Sequence, residues 1–275
     1  SIIIQYSIDL LIIGPEVPLV NGLHDKLVAD DNLKKLKIIG PKKRGAQLEG
    51  SKLFAKKFMQ KYNIPTGHFK NFNLQNITEA KKHLQSISPP FVIKADGLAA
   101  GKGVFICDKL TEACNIIDEI IINNKFGKAG NEIVIEQFLD GIELSVFILT
   151  DGHSYKMLPS AKDYKRVGEN DTGLNTGGMG AISPFPFLEK EITEKIKKKI
   201  IEPTLDGLKK EAIEYMGFIF FGLMIVDKEP FVIEYNVRLG DPETQVLLPR
   251  IKSDFLDILL NVSSKKVFSK SELII

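Results

Sequence analysis

Residues 91–107 read "FVIKADGLAAGKGVFIC" and are the most informative segment for the fold. Two short β-prone runs, FVIKA and VFIC, flank its glycines, so we predict a hairpin of two strands with a long glycine-rich tip. A phosphate-binding P-loop would instead run from a strand straight into a helix. Here Gly97 and Gly101 are one residue too close for that motif, and Gly103 follows Lys102 where Ser or Thr belongs. The GxGxxG pattern fails as well, because an apolar strand follows Gly103.

The hairpin of residues 94–104 has the composition of a flap over a ligand. Backbone N–H groups at glycines can approach phosphate oxygens closely because no Cβ intervenes, and Lys94 and Lys102 supply positive charge. A merely flexible turn is the alternative that this segment alone leaves open.

Upstream of the flap, the chain indicates a parallel β-α-β unit. "IDLLIIGPE", residues 8–16, reads as a buried strand, and "KIIGPKK", residues 37–43, repeats that shape, with helical spacing between them. Residues 47–65 then predict one helix that ends at Asn63-Ile64-Pro65.

Downstream, two further pairs of apolar runs are typical of strands. In residues 133–152 the runs meet at Asp140-Gly141, which predicts a hairpin with Glu136 and Glu143 beside its bend. Residues 218–238 predict a second hairpin that turns near Asp227.

Glu234 and Asn236 are separated by one residue in the last predicted strand, so both should project from the same face. A carboxylate and an amide oxygen are hard ligands that suit Mg²⁺, which completes its coordination with water and phosphate oxygens. A solvent-facing pair is the ordinary alternative, although the strand is otherwise apolar.

Residues 160–186, "SAKDYKRVGENDTGLNTGGMGAISPFP", form a polar stretch that we interpret as a long functional loop. Lys162, Lys165 and Arg166 offer cations, and residues 176–180 offer exposed backbone donors. A disordered insertion is the alternative, and the dense apolar runs on both sides argue against it.

Composition excludes several classes of protein. With 275 residues, of which 44% are hydrophobic, the chain can form one large domain or two. Its net charge of +2 gives no strong field for nucleic acid or an anionic membrane. No apolar run approaches the roughly 20 residues of a membrane span, and no signal peptide opens the chain. Two isolated cysteines fit a reducing compartment, so a cytoplasmic protein is expected.

The order of these parts resembles the ATP-grasp superfamily. The strings "GPEVPLVNG", "AQLEGSK", "IKADGLAAGKGV", "IEQFLDGIELS", "KDYKRVGENDTGLNTGGMGA" and "VIEYNVRLGDPETQ" resemble phosphoribosylamine–glycine ligases over nearly the whole chain. The resemblance implies an α/β (α+β) ATP-grasp fold with part of a Rossmann-like parallel-sheet domain. It also implies an ATP-dependent ligase that joins glycine to 5-phosphoribosylamine through glycyl phosphate, in purine biosynthesis.

The resemblance also implies site residues and partners. Nucleotide-binding residues would be Lys94, Gly101, Lys102, Gly103, Glu136, Gln137, Phe138, Leu139 and Glu143. Catalytic residues would be Arg238, Lys162 and Asp163, and substrate contacts would be Glu16, Thr176, Gly177, Gly178, Asp241 and Glu243. Glu234 and Asn236 would hold Mg²⁺, or alternatively Mn²⁺. Glycine and phosphoribosylamine would be the small-molecule partners of a monomer or weak homodimer that binds neither nucleic acid nor membrane.

For domains, we expect the remainder of a Rossmann-like domain at residues 1–45 and an ATP-grasp domain at 46–275, with a flap subdomain near 66–137. The family's opening strand and its C-terminal domain are expected to lie outside this chain, which would then be incomplete. Two alternatives stay open: another ATP-grasp carboxylate–amine ligase, or an ATP-binding fragment without catalysis.

Overall fold

In the computed structural model, two strands at the N-terminal end pair in parallel, β1 (Leu10–Ile12) and β2 (Lys37–Ile39). The structure describes residues 2–99, 101–169, 172–186, 188–263 and 265–275. The described residues of this region include three α-helices: α1 (Ile2–Gln5), α2 (Glu16–Val20) and α3 (Leu23–Val28). The predicted parallel unit is confirmed. The predicted burial of the first strand is wrong, because Ile12 is 44% exposed and, in the described ranges, β2 is the one strand beside it.

The helix predicted over residues 47–65 is divided into α4 (Gln47–Gly50) and α5 (Lys52–Lys61). Between them Ser51 is extended, and its hydroxyl accepts a hydrogen bond from the Phe54 N–H at 3.0 Å, which caps α5. Asp96 accepts hydrogen bonds from the Ser51 hydroxyl and the Leu53 N–H. The end of the predicted flap's first strand is therefore tied to the beginning of α5.

A four-stranded antiparallel sheet carries the flap, in the order β3-β6-β4-β5. Its elements are β3 (Phe69–Asn73), α6 (Ile77–Gln85), β4 (Phe91–Ala95), β5 (Val104–Cys107), α7 (Leu110–Ile117) and β6 (Glu132–Glu136). The predicted hairpin is confirmed, with Phe91 opposite Cys107 and Lys94 opposite Val104; Ala100 in its tip lies outside the described residues. The sheet packs on α6 and α7 around its own core, which includes Phe72, Leu84 and Ile93.

A second antiparallel sheet has the order β12-β11-β7-β8. Its strands are β7 (Ile142–Thr150), β8 (Tyr155–Met157), β11 (Gly217–Val226) and β12 (Glu229–Asn236). Helices follow as α8 (Lys190–Ile196), α9 (Glu202–Lys210), α10 (Glu243–Leu247), α11 (Phe255–Val262) and α12 (Lys265–Lys270). Consecutive residues of β7 enter different cores, Ile148 with α8 and α9, and Phe147 with α11 and α12. The hairpin predicted near Asp227 is confirmed.

The hairpin predicted at Asp140-Gly141 is wrong, because β6 and β7 belong to different sheets. A Cβ on Gly141 would collide with the carbonyl oxygen of Ile225 in β11. The glycine thus permits close approach of the chain to the second sheet rather than a tight turn. Residues 137–141 form the crossing between the two sheets.

The polar stretch predicted as a loop is largely a two-stranded antiparallel ribbon, β9 (Lys162–Gly168) and β10 (Thr172–Ile182). Backbone pairing needs no apolar side chains, and two register shifts accommodate the glycine-rich strand. Asn170 and Asp171 of this stretch lie outside the described residues. No helix in the described ranges has the length and apolar character that crossing a membrane requires.

Candidate active site

Two lysines share one buried carboxylate where the two sheets meet. Glu136, the last residue of β6, has its Oε2 atom 3.0 Å from the Lys94 Nζ and 2.9 Å from the Lys56 Nζ. Burial alone would raise the pKa of Glu136, but Lys94 and Lys56 lower it below the ordinary value, so the carboxylate is ionised. Its Oε1 atom is buried and has no hydrogen-bond partner among the described residues.

Several cationic side chains act on the carboxylate of Glu234. Burial alone would raise the pKa of its carboxyl group. Four cations from separate elements instead lower that pKa below the ordinary value: Lys165, Lys94, Lys52 and Arg238. The fold therefore brings the flap strand, α5, the ribbon and the end of β12 to one place.

Glu234 and Asn236 suit a divalent cation. They are alternate residues of β12, as predicted, and Glu234 is held in its ionised form. The Oδ1 atom of Asn236 is engaged only by a long contact of 3.4 Å from the Arg238 Nη2, and its buried Nδ2 atom has no partner in the described ranges. Two hard oxygens on one face fit Mg²⁺ when the other ligands are water and phosphate. Among the described residues no cluster of three or more His, Cys, Asp or Glu could hold a metal by itself.

Arg238 is paired with two carboxylates from distant segments. Its Nη2 atom lies 2.9 Å from the Glu49 Oε1, and its Nε lies 3.3 Å from the Glu16 Oε2, although this Nε makes no hydrogen bond with a described residue. The second oxygen of Glu49 accepts the N–H of Val237 at 2.8 Å. Burial raises the pKa of Glu49 to about 7, against the opposing effects of Arg238 and that N–H. The structure thus joins the predicted residues Glu16 and Arg238, and adds Glu49.

A second acidic group lies where the ribbon meets the segment before α10. Asp163 is buried, and its Oδ1 has no partner in the described part of the chain. Burial raises the pKa of Asp163 to about 6; Lys165 opposes this, while Glu243 and Glu143 add to it. Glu243 is 2% exposed and accepts the Ser145 hydroxyl at 3.2 Å. These carboxylates can bind a cationic or proton-donating ligand.

The predicted cationic residues Lys162 and Lys165 lie on opposite faces of β9. Asp163 and Lys165 project from one face, and Lys165 pairs with Glu143 at 2.6 Å. Lys162 projects from the other face, where its ammonium lies 5.1 Å from the Tyr164 ring centroid. The structure therefore does not bring Lys162 into the acidic group, and its catalytic role stays a prediction.

The remaining predicted residues differ in exposure. Gly101 and Lys102 at the flap tip are exposed, while Gly103 accepts the Ala95 N–H through its carbonyl at 2.8 Å. Gln137 pairs its backbone N–H with the His68 carbonyl at 2.7 Å. Three further positions are at least partly accessible: Phe138, Leu139 and Asp241.

Thr176, in the ribbon, donates its hydroxyl to the Lys165 carbonyl at 2.7 Å and accepts the Gly178 N–H at 3.1 Å. Gly177 has open space around it, whereas Gly178 lies against Pro242. The ribbon and the segment after β12 are therefore in contact at Gly178.

Comparison with known protein families identifies the family to which this chain belongs. A family model described as "Phosphoribosylglycinamide synthetase, ATP-grasp (A) domain" matches residues 50–244, and one described as "Phosphoribosylglycinamide synthetase, N domain" matches residues 1–49. The chain belongs to the phosphoribosylglycinamide synthetase family. The family and the ATP-grasp fold predicted from sequence are both confirmed.

Members of the phosphoribosylglycinamide synthetase family are similar to this chain in sequence and structure over most of its length. A phosphoribosylamine–glycine ligase from Fusobacterium nucleatum is 47% identical over 262 residues, which are 95% of this chain and 60% of that protein. The crystal structure of a phosphoribosylamine–glycine ligase from Thermotoga maritima superposes with a TM-score of 0.79 at 37% identity, covering 93% of this chain and 61% of that one. The chain thus spans about 60% of the length of these relatives.

A D-alanine–D-alanine ligase from Bacillus anthracis, complexed with ATP, shares the fold. Its TM-score is 0.63 at 21% identity, covering 95% of this chain and 79% of that chain. At this identity the likeness concerns the fold alone.

Three residues of the candidate site were not predicted from the sequence: Lys52, Lys56 and Glu49. Lys52 and Lys56 lie with Ala55 and Met59 on the i, i+3, i+4, i+7 stripe of α5, where an apolar residue is expected. Two lysines on that stripe were the available signal. Glu49 offered none, because its partners lie 188 and 189 positions further along the chain.

Proposed function

We propose that this chain supplies the ATP-grasp part of an ATP-dependent carboxylate–amine ligase that joins glycine to 5-phosphoribosylamine. The observation that carries the proposal is the convergence of four cations on Glu234, beside Asn236. A polyanionic nucleotide bound with a divalent cation needs both kinds of group. The family assignment and the named relatives support the same reaction.

For the nucleotide, Lys94 and Lys52 would face phosphate oxygens. The unpaired Oε1 of Glu136 would accept a hydrogen bond from the exocyclic amine of adenine, since a buried acceptor without a donor is costly. The accessible residues Gln137 to Leu139 would border the base, and Glu143 would meet the ribose. The flap tip, including Gly101, Lys102 and Gly103, would cover the phosphates.

Glu234 and Asn236 would hold the cation, which we propose is Mg²⁺ with Mn²⁺ as an alternative. When bound, it neutralises charge on the phosphate oxygens. The protein's own contribution is positioning and fixed charge, as phosphoryl transfer requires. Arg238, paired with Glu49 and Glu16, would orient an anionic group beside the cation site.

In the proposed reaction, a carboxylate oxygen of glycine attacks the γ-phosphorus of ATP, and ADP leaves. The amine of phosphoribosylamine then attacks the acyl carbon of glycyl phosphate, and inorganic phosphate leaves. That amine loses one proton, and Asp163 is suited to receive it at Oδ1, because burial raises its pKa to about 6. Glu16, the ribbon glycines and the Asp241 to Glu243 segment would contact the two substrates.

The domain boundaries near residues 45, 66 and 137, the cytoplasmic location and the monomeric or weakly dimeric state belong to the same proposal. The separate core under the flap sheet supports the flap unit.

The direct test is release of phosphate from MgATP in the presence of glycine and phosphoribosylamine, each omitted in turn. We expect release only with both substrates, and loss of release in Arg238→Met with nucleotide binding retained. Release with a different acid and amine would indicate another ATP-grasp ligase. Saturable MgATP binding without turnover under any combination would indicate a binding fragment and would contradict the proposal for this chain.

A further inference from the structure

Lys56 is a buried lysine for which the proposed reaction has no direct use. It lies on α5 with 2% of its side chain exposed, and its ammonium donates to the Thr66 hydroxyl at 2.7 Å and pairs with Glu136 at 2.9 Å. Thr66 in turn donates to the carbonyl of Val232 in β12 at 2.7 Å. The side chain therefore joins α5, the end of β6 and, through Thr66, the second sheet.

The two lysines on Glu136 are held very differently. Lys56 has two partners, and Thr66 is itself fixed by its contact with β12. Lys94, on the flap strand, bonds to Glu136 alone within the described part of the chain. Lys94 is therefore the lysine that can leave Glu136 at the smaller cost in hydrogen bonds.

A departing lysine would ordinarily leave a buried carboxylate without a counter-ion, which is strongly unfavourable. Here Lys56 still pairs with the same Oε2 atom after Lys94 has moved. We propose that Lys56 is a positioning residue that stays bonded to Glu136 and Thr66 while Lys94 exchanges Glu136 for a phosphate oxygen of the nucleotide. This inference rests on the proposed nucleotide site and assigns a role to a residue outside it.

The alternative is a fixed ion-pair network that only stabilises the fold. The structural role and the proposed role differ in whether the nucleotide-free or the nucleotide-bound protein is destabilised when Lys56 is replaced. A structural role lowers stability equally with and without nucleotide. In the proposed role the penalty arises mainly when Lys94 leaves, so it is seen as weakened nucleotide binding.

The test measures binding of MgADP and of MgATP by calorimetry, and the rise in melting temperature that each causes. Lys56→Met removes the ammonium at similar length, and Lys57→Met removes an exposed ammonium from the next position of the same helix as the control. We expect Lys56→Met to weaken binding about 10- to 100-fold, because the carboxylate loses its remaining partner. The control should remain within roughly twofold of the wild type.

A double variant separates the two roles. With Glu136→Gln as the background, the carboxylate that needs a counter-ion is gone, so adding Lys56→Met should weaken binding by less than about threefold relative to Glu136→Gln alone. Unchanged binding in Lys56→Met, or an equal loss in both backgrounds, would overturn the inference.

If Lys56→Met does not fold, Thr66→Val provides the same test, because it removes the second partner of Lys56 at nearly constant volume. We expect binding to weaken roughly three- to tenfold, and an unchanged affinity would overturn the inference. Absence of nucleotide binding by the wild-type chain is a different result, since it would remove the proposed nucleotide site and this inference with it.

Discussion

Gly178, in strand β10 of the ribbon, is a position where one added methyl group is expected to disable the candidate active site. Its φ of +127° is a conformation that residues with a side chain rarely adopt. A Cβ there would lie 2.6 Å from the Pro242 Cδ, 0.8 Å short of the 3.4 Å at which ordinary contact begins. Gly178→Ala therefore has to push the ribbon and the segment before α10 apart.

The cost of Gly178→Ala has two parts, backbone strain and overpacking. The strained φ costs about 1–3 kcal/mol, and overpacking against the proline ring adds about 1–3 kcal/mol. The ribbon can relieve most of this by moving locally, so the melting temperature should change little. Displacement of the ribbon by about 1 Å, however, shifts Asp163 relative to Glu243, and a misplacement of that size lowers kcat/KM by roughly 100-fold.

Steady-state phosphate release with glycine and phosphoribosylamine as substrates measures the effect, and Gly14→Ala is the control substitution. Gly14 has no atom within 4 Å of its would-be Cβ and no left-handed φ, so alanine should be tolerated there with less than about twofold loss. Equal kcat/KM values for the two variants would refute the steric reasoning.

Three further outcomes are expected. Glu234→Gln or Asn236→Ala should lower turnover and weaken its response to added Mg²⁺ while the fold stays intact. If turnover as a function of Mg²⁺ concentration is unchanged in both variants, the two residues do not belong to the cation site. Because burial raises the pKa of Glu49 from 4.5 to about 7, the stability this group contributes is complete below pH 4.5 and is lost as the pH rises through about 7. Glu49→Gln should abolish that fall, worth up to about 3 kcal/mol, in denaturant unfolding measured across this pH range. Phe147→Ala, which empties a fully buried position that packs 4.6 Å from the Phe220 ring, should cost about 3–5 kcal/mol of unfolding free energy in the same assay, and a loss below about 1 kcal/mol would contradict the packing.

Sequence reasoning succeeded where the deciding interactions are local. The flap hairpin followed from two β-prone runs around glycines, and the shared face of Glu234 and Asn236 followed from the period of a strand. It failed at Asp140-Gly141, where the dipeptide typical of a hairpin joins strands of different sheets. That glycine is required by a close contact with Ile225, about eighty positions further along the chain.

Motif strings and strand periodicity are properties of neighbouring residues, so the family and the ATP-grasp fold could be predicted from them. The tertiary structure, in contrast, settled which charges meet. It placed Lys56 and Lys94 on one oxygen of Glu136, and Glu49 on Arg238. It also turned Lys162 away from Asp163. These pairings depend on how separate elements pack, and an ionised side chain in a buried position takes whichever opposite charge that packing brings within reach.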